Sequence, residues 1–236
     1  MVEKSHELTV WEHLNELRKR LLYALISVVL GVVVSVVFAD SLLVLIARPI
    51  GGLDNLLSIQ VTENLSVYFR ITLLSGFIIA LPFILIQLLL FVSPGLKKTE
   101  RVWILRAVPI ATILFLAGAI FAYLVMLPAA LPFLVDFPGP EVLPKWKDYV
   151  NFVTSLIFWI GLSFETPLLM FVLAKLGIID AKGLVKQWRI AFILIAVIAA
   201  VATPTPDPIN MAILMAPLFL LYLLGILLAA LAQRKK

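Results

Sequence analysis

The sequence predicts an all-α integral membrane protein with six transmembrane helices, the fifth of them short, and both termini in the cytoplasm. Three observations carry this. Of 236 residues, 63% are apolar and 14% charged, against about 45–50% and about 25% in soluble domains. The apolar residues gather into six stretches, most of them near the roughly 20 residues that cross ~30 Å of hydrocarbon. The lysines and arginines sort to one side of those stretches.

The first element is an amphipathic helix over residues 9–20. Thr9-Val10-Trp11-Glu12 has the Ser/Thr-x-x-Glu form of a capping box, which places a helix start at Thr9. Trp11, Leu14, Leu17 and Leu21 then share one stripe, and His13, Glu16 and Arg20 share another. An apolar stripe beside a charged one suits a helix lying on the membrane surface before the chain turns in. The spans follow at 21–39, 63–92, 102–127, 150–174, 189–202 and 209–231. Thr62 is the expected cap of the second, with Glu63 in its first turn. Pro82 and Pro167 are expected to bend the second and fourth. The core of the fifth, 190–202, covers only about 20 Å at 1.5 Å per residue, so the bilayer thins there or the following Thr203-Pro-Thr-Pro-Asp-Pro208 turn sits within it. With no internal repeat or linker, residues 1–236 form one domain. The links 40–70 and 128–149 are the longest and hold several prolines and glycines, which suggests an ordered cap.

Orientation follows from charge. Fifteen of the 19 lysines and arginines fall in the N-tail, in the links after spans two and four with the adjoining helix ends, and in the C-tail, and four (Arg48, Arg70, Lys145 and Lys147) fall on the other side. The excess marks the cytoplasmic side, and an even number of spans keeps it there. Trp103, Trp146 and Trp188 fall at the expected interfaces as belt anchors.

Several chemistries are excluded. There is no cysteine, and the two histidines, His6 and His13, lie in the N-tail. Thiolate metal sites, disulfides and intramembrane histidine relays are absent, no cofactor is implied, and nothing suggests an enzyme. The net charge of +5 is explained by topology and attraction to an anionic membrane surface.

Two groups of polar residues need an explanation. Glu165 is the one acid well inside a span, where a charge costs at least ~2.5 kcal/mol. It lies at about the same depth as Gln87 of span two, by the 1.5 Å helical rise. The two are expected to meet across a groove, either on a functional pathway or as a contact locking two helices. Glu16 and Glu100 lie on the cytoplasmic side amid cations. Each has an ordinary explanation: Glu16 as an i,i+4 pair with Arg20, Glu100 as a helix-start charge. Together they also suit two guanidinium groups, which carboxylates bind in a two-pronged geometry that lysine lacks. The surrounding cations, Arg18 and Arg101 among them, discourage indiscriminate capture of basic peptides. Asp207, between prolines, reads as a turn former. Gly118 and the Gly31-x-x-x-Ser35 spacing allow close helix approach.

These motifs resemble a known family. His13-Leu-Asn-Glu-Leu-Arg-Lys-Arg-Leu21 is similar to the N-terminal signature of TatC, the multispanning subunit of the twin-arginine protein translocase. Phe91-Val-Ser-Pro-Gly-Leu-Lys-Lys-Thr-Glu-Arg101 is similar to its first cytoplasmic loop. Gln87, Tyr123 with Leu127-Pro128, Phe164-Glu165-Thr-Pro167, Thr203-Pro-Thr-Pro-Asp207 and Pro217 match in order, over nearly the whole chain.

The resemblance implies a receptor in the cytoplasmic membrane for twin-arginine signal peptides of folded proteins. Glu16 and Glu100, with Arg18, Arg101 and His13, would form the peptide site, and Glu165 and Gln87 would line a concave groove between helices. Single-span partners of the TatA/TatB type would dock along the last helices, near Thr203, Thr205, Asp207 and Met211, and drive export with the proton gradient. Self-association in the active complex is also implied. One departure stands out: the family has an acid after the aromatic of the last span, where this chain has Tyr222-Leu223. The competing reading is a small-solute secondary transporter coupled through Glu165, which would require broken helices in paired repeats. An intramembrane protease would require histidine, cysteine or paired intramembrane aspartates.

Overall fold

The computed structural model describes residues 10–92, 98–135, 144–203 and 208–233. Among them the fold is all-helical. Five helical runs are long and apolar enough to cross a membrane: Trp11–Val37, Glu63–Phe91, Arg106–Pro132, Trp146–Leu176 and Met211–Gln233. A sixth, Trp188–Ala202, is shorter.

Helix α1 runs unbroken over Val10–Val37. The expected turn between a surface helix and the first span is therefore missing. Its 28 residues extend about 42 Å at 1.5 Å each, more than the ~30 Å hydrocarbon layer. Charged and apolar halves thus form a single rod longer than the layer is thick. Thr9 lies outside the described residues.

Helix α3 (Glu63–Val92) packs along α1 and continues through Pro82 without interruption. The two helices meet where neither backbone is shielded by a side chain. A Cβ on Gly76 would sit 2.5 Å from the backbone nitrogen of Val32, and one on Gly31 would overlap the Gly76 carbonyl. Ser35 is buried one turn on, its hydroxyl donating to the Gly31 carbonyl at 2.9 Å. The small-residue spacing read from the sequence is therefore the α1–α3 seam.

The next helical run extends past the expected boundary at Leu127. Helix α4 (Lys98–Phe121) passes through one π-helical turn, Ala122–Met126, into α5 (Leu127–Val135). Pro128 is the second residue of α5, where a missing N–H is tolerated when the preceding turn loosens. The outer link therefore begins after 135, not at Pro128. Tyr123, inside the π turn, donates its hydroxyl to the Leu45 carbonyl at 2.6 Å.

The fourth span breaks in two, α6 (Trp146–Phe164) and α7 (Thr166–Leu176), at Glu165 and next to Pro167. Helix α7 closes on Gly177, whose φ of 78° is in the left-handed region that favours glycine. A short helix α8 (Ala181–Lys186), capped by Asp180, then leads to α9 (Trp188–Ala202) and α10 (Pro208–Gln233).

The cap is ordered where it is described. Helix α2 (Ala39–Ala47) and two 3-10 turns, Arg48–Ile50 and Leu53–Asn55, lie across the end of the bundle where α1 finishes. Leu57 bridges Lys145: the Leu57 amide donates to the Pro144 carbonyl at 3.1 Å and the Trp146 amide to the Leu57 carbonyl at 2.9 Å. Trp146 is consequently buried rather than a belt anchor, while Trp188 is exposed. Tyr149 donates its buried hydroxyl to the Ile46 carbonyl at 2.8 Å. At the start of α3, the Glu63 carboxylate accepts the Ile59 amide at 2.8 Å. The largest core cluster runs from Ile46 and Val67 through Val150–Ile160 to Leu214–Tyr222.

Candidate functional site

The first turns of α1 lie against the last turns of α3. The charged stripe of α1 faces α3: His13, itself exposed, stacks on Phe91 with ring centroids 4.4 Å apart and planes at 18°. Arg20 donates one guanidinium nitrogen to Gln87 Oε1 at 3.3 Å and the other to Glu16 Oε1 at 3.4 Å. Gln87 and Phe91 are one helical turn apart, so His13, Glu16 and Arg20 meet a matching stripe of α3. Glu16 is half-buried, and Arg20 Nε is buried with no hydrogen-bond partner. Both guanidinium contacts are longer than the ~2.7–2.9 Å of a tight charge-assisted bond.

The other stripe of α1 faces outward: Trp11, Leu14 and Leu21 are exposed, and Leu17 is half-buried. Arg18 is exposed, and the Lys19 ammonium lies 6.0 Å from the Tyr23 ring. Helix α4 starts six residues after α3 ends, so Glu100 and Arg101, in its first two turns, belong to this end of the bundle. Their side chains, and Thr205 and Asp207 altogether, lie outside the described residues.

The structure redistributes the expected groove contacts. Gln87 hydrogen-bonds Arg20 and not Glu165, because the two stripes place its amide toward α1. Glu165 instead occupies the α6–α7 break. Its Oε1 is buried with no hydrogen-bond partner, while the Phe115 backbone amide acts on the carboxyl from α4. Neighbouring Phe164 packs on Phe121, centroids 5.6 Å apart, and closes over Gly118. The Pro167 ring removes the N–H that would otherwise satisfy an α6 carbonyl, which fixes the break at this residue.

Along the last helices, Thr203 is buried and turns its hydroxyl to the Ala199 carbonyl at 2.9 Å. Met211 is half-buried against the core. Tyr222 donates to the Leu184 carbonyl at 2.6 Å, and Leu223 is exposed. Two residues were not singled out from the sequence. Phe91 has no polar group to draw notice. Arg70 entered only the topology count, although a cation at the very edge of the apolar run from Ile71 is itself a signal.

The profile of the Sec-independent protein translocase protein (TatC) family matches residues 12–217. The chain belongs to the TatC family. A TatC protein of Carboxydothermus hydrogenoformans is 36% identical over 97% of this chain and 96% of its own length. One from Deinococcus radiodurans is 35% identical over 93% and 85%. The chloroplastic TATC of Pisum sativum is 32% identical over 99% of this chain and 67% of its own length. A crystal structure described as the twin arginine translocase receptor TatC superposes with a TM-score of 0.84, at 33% identity over 94% of this chain and all of that one.

As a TatC-family member the chain is a component of a Sec-independent protein translocase and a multispanning membrane protein, which implies membrane-embedded partners. His13, Glu16, Gln87, Glu100, Glu165 and Met211 all fall inside the matched residues, whereas Tyr222-Leu223 lies beyond them.

Proposed function

We propose that this chain is the receptor and core subunit of the twin-arginine translocase, binding twin-arginine signal peptides of folded proteins at the cytoplasmic face. Glu16 and Glu100 take the paired guanidinium groups. His13, stacked on Phe91, borders the site, and Arg18 and Arg101 repel basic chains that lack the paired geometry. The observation that carries this reading is the Glu16 carboxylate, half-buried where α1 meets α3 and already accepting a guanidinium, that of Arg20. A fork-shaped cation suits that carboxylate, and the two long contacts of Arg20 leave it replaceable by a better-placed donor.

Both termini lie in the cytoplasm and the protein resides in the cytoplasmic membrane, as the charge asymmetry supports. Glu165 and Gln87 line the path taken by the apolar part of the bound peptide. Partner subunits of the TatA/TatB type dock near Thr203, Thr205, Asp207 and Met211, and with copies of this chain they support proton-gradient-driven export. A photo-crosslinker scanned along residues 10–20 and 93–101 tests the site. A twin-arginine precursor is expected to crosslink at positions beside Glu16 and Glu100 and not at positions one half-turn away on α1. Crosslinks spread evenly around α1 would remove the site from this face.

A further inference from the structure

A second polar site lies at the other end of the bundle. Helices α3 and α6 enclose an open groove of about 480 Å³, with Ser66, Arg70, Phe77, Thr154, Phe158 and Trp159 on its walls. This volume is typical of small-molecule sites, which run about 300–1,000 Å³. The groove is polar at one end only. Arg70 Nε donates to Thr154 Oγ1 at 3.0 Å, and Arg70 Nη2 donates to Ser155 Oγ at 2.8 Å. The far end is closed by Phe77 and Phe158, centroids 5.3 Å apart and edge-on. Arg70 and Phe77 are about 10 Å apart along the helix at 1.5 Å per residue.

The guanidinium is held in place with donors left over. Thr154 is buried and fixed by its own bond to the Val150 carbonyl at 2.6 Å, so it orients one edge of the fork. Of five N–H donors, two are used by these hydroxyls. Nη1 makes no hydrogen bond among the described residues, and no described carboxylate pairs with Arg70. Arg70 is exposed where the polar first two turns of α3 give way to its apolar run from Ile71, so a phosphate can reach its free donors.

We propose that the α3–α6 groove binds an anionic phospholipid from the leaflet on the side of the cap. Arg70 and the Ser155 hydroxyl receive the phosphate, and one acyl chain lies between Leu73, Phe77, Phe158 and Trp159. The order of the groove argues for this occupant. Its charged end is the one nearer the start of α3, and its apolar end points toward the middle of the bilayer, which is the order of a phospholipid. A partner helix of apolar residues would leave the Arg70 donors unmet. The proposal is independent of peptide recognition, since this groove lies at the end of α3 opposite to Gln87 and Phe91.

Trp159 supplies the readout. The full chain is reconstituted into vesicles of neutral lipid containing increasing fractions of bromine-labelled phosphatidylglycerol or bromine-labelled phosphatidylcholine. The share of Trp159 is the difference between the intact chain and Trp159→Phe. One basic group near an anionic headgroup gives about a fivefold preference, so phosphatidylglycerol is expected to quench Trp159 at about one-fifth the fraction needed for phosphatidylcholine. Arg70→Gln should bring the two lipids together. Equal quenching by both lipids in the intact chain overturns the proposal whatever the variants do. So does a preference that survives Arg70→Gln, or quenching by neither lipid, which would mean that a protein segment covers the groove.

Discussion

Glu165 offers a sharp test because stability and function should move in opposite directions. Its Oε1 is buried at the α6–α7 break with no hydrogen-bond partner. A buried polar atom left unsatisfied costs about 1–3 kcal/mol, and a carboxylate at span depth costs at least ~2.5 kcal/mol on insertion scales. Glu165→Leu removes the orphan oxygen and keeps much of the side-chain volume. It should therefore stabilise the chain by about 1–3 kcal/mol. At roughly 2–4 °C per kcal/mol for a chain of about this size, the unfolding midpoint of the purified protein in one detergent should rise by about 2–12 °C. Export of a folded twin-arginine substrate by cells carrying only this variant should fall. A lowered midpoint would refute the reasoning, because it would mean that the carboxyl holds α4, α6 and α7 together as a structural contact.

Other perturbations follow from single contacts. Gly76→Ala drives a methyl group into the Val32 backbone and should cost about 1–3 kcal/mol, as overpacking does; thermal unfolding measures it, and an unchanged midpoint would show that the α1–α3 seam opens freely. Tyr149→Phe strands the Ile46 carbonyl, with a loss of about 1–3 kcal/mol that the same assay reads, whereas a loss below a few tenths would mean that water reaches the cap. Arg20→Ala frees Glu16 of its internal partner. Since an ion pair that solvent still reaches is worth about 0.2–1 kcal/mol, affinity for a twin-arginine peptide measured by calorimetry should rise up to about fivefold, and a fall would make Arg20 part of the binding surface instead.

The helical runs were legible because 20-residue apolar stretches have few alternatives in a membrane, and the break at Glu165 was marked by Pro167. The extension of α5 to Val135 was hidden, because Leu127-Pro128 signals a helix end unless a π turn precedes it, and a π turn has no sequence signature. The Gln87–Arg20 bond was missed for a related reason. Depth along a helix can be counted from sequence, but the rotation that turns Gln87 to α1 rather than α6 is set by the glycine seam at Gly31 and Gly76. Trp146 was misplaced because an aromatic at a span end looks alike whether it anchors in lipid or is buried under a bridge such as Leu57 to Lys145. The stripe of His13, Glu16 and Arg20 was readable from spacing alone, since 3.6-residue periodicity fixes it before any partner is known.

The most direct measurement is the affinity of the purified chain for two peptides that differ only in carrying Arg-Arg or Lys-Lys, repeated with Glu16→Gln and with Glu100→Gln. The intact chain should prefer Arg-Arg by tenfold or more, about 1.4 kcal/mol or above, and either substitution should remove most of that preference while leaving the unfolding midpoint within a few degrees. A full preference retained in both variants would contradict the assignment of these two carboxylates to the paired guanidinium groups.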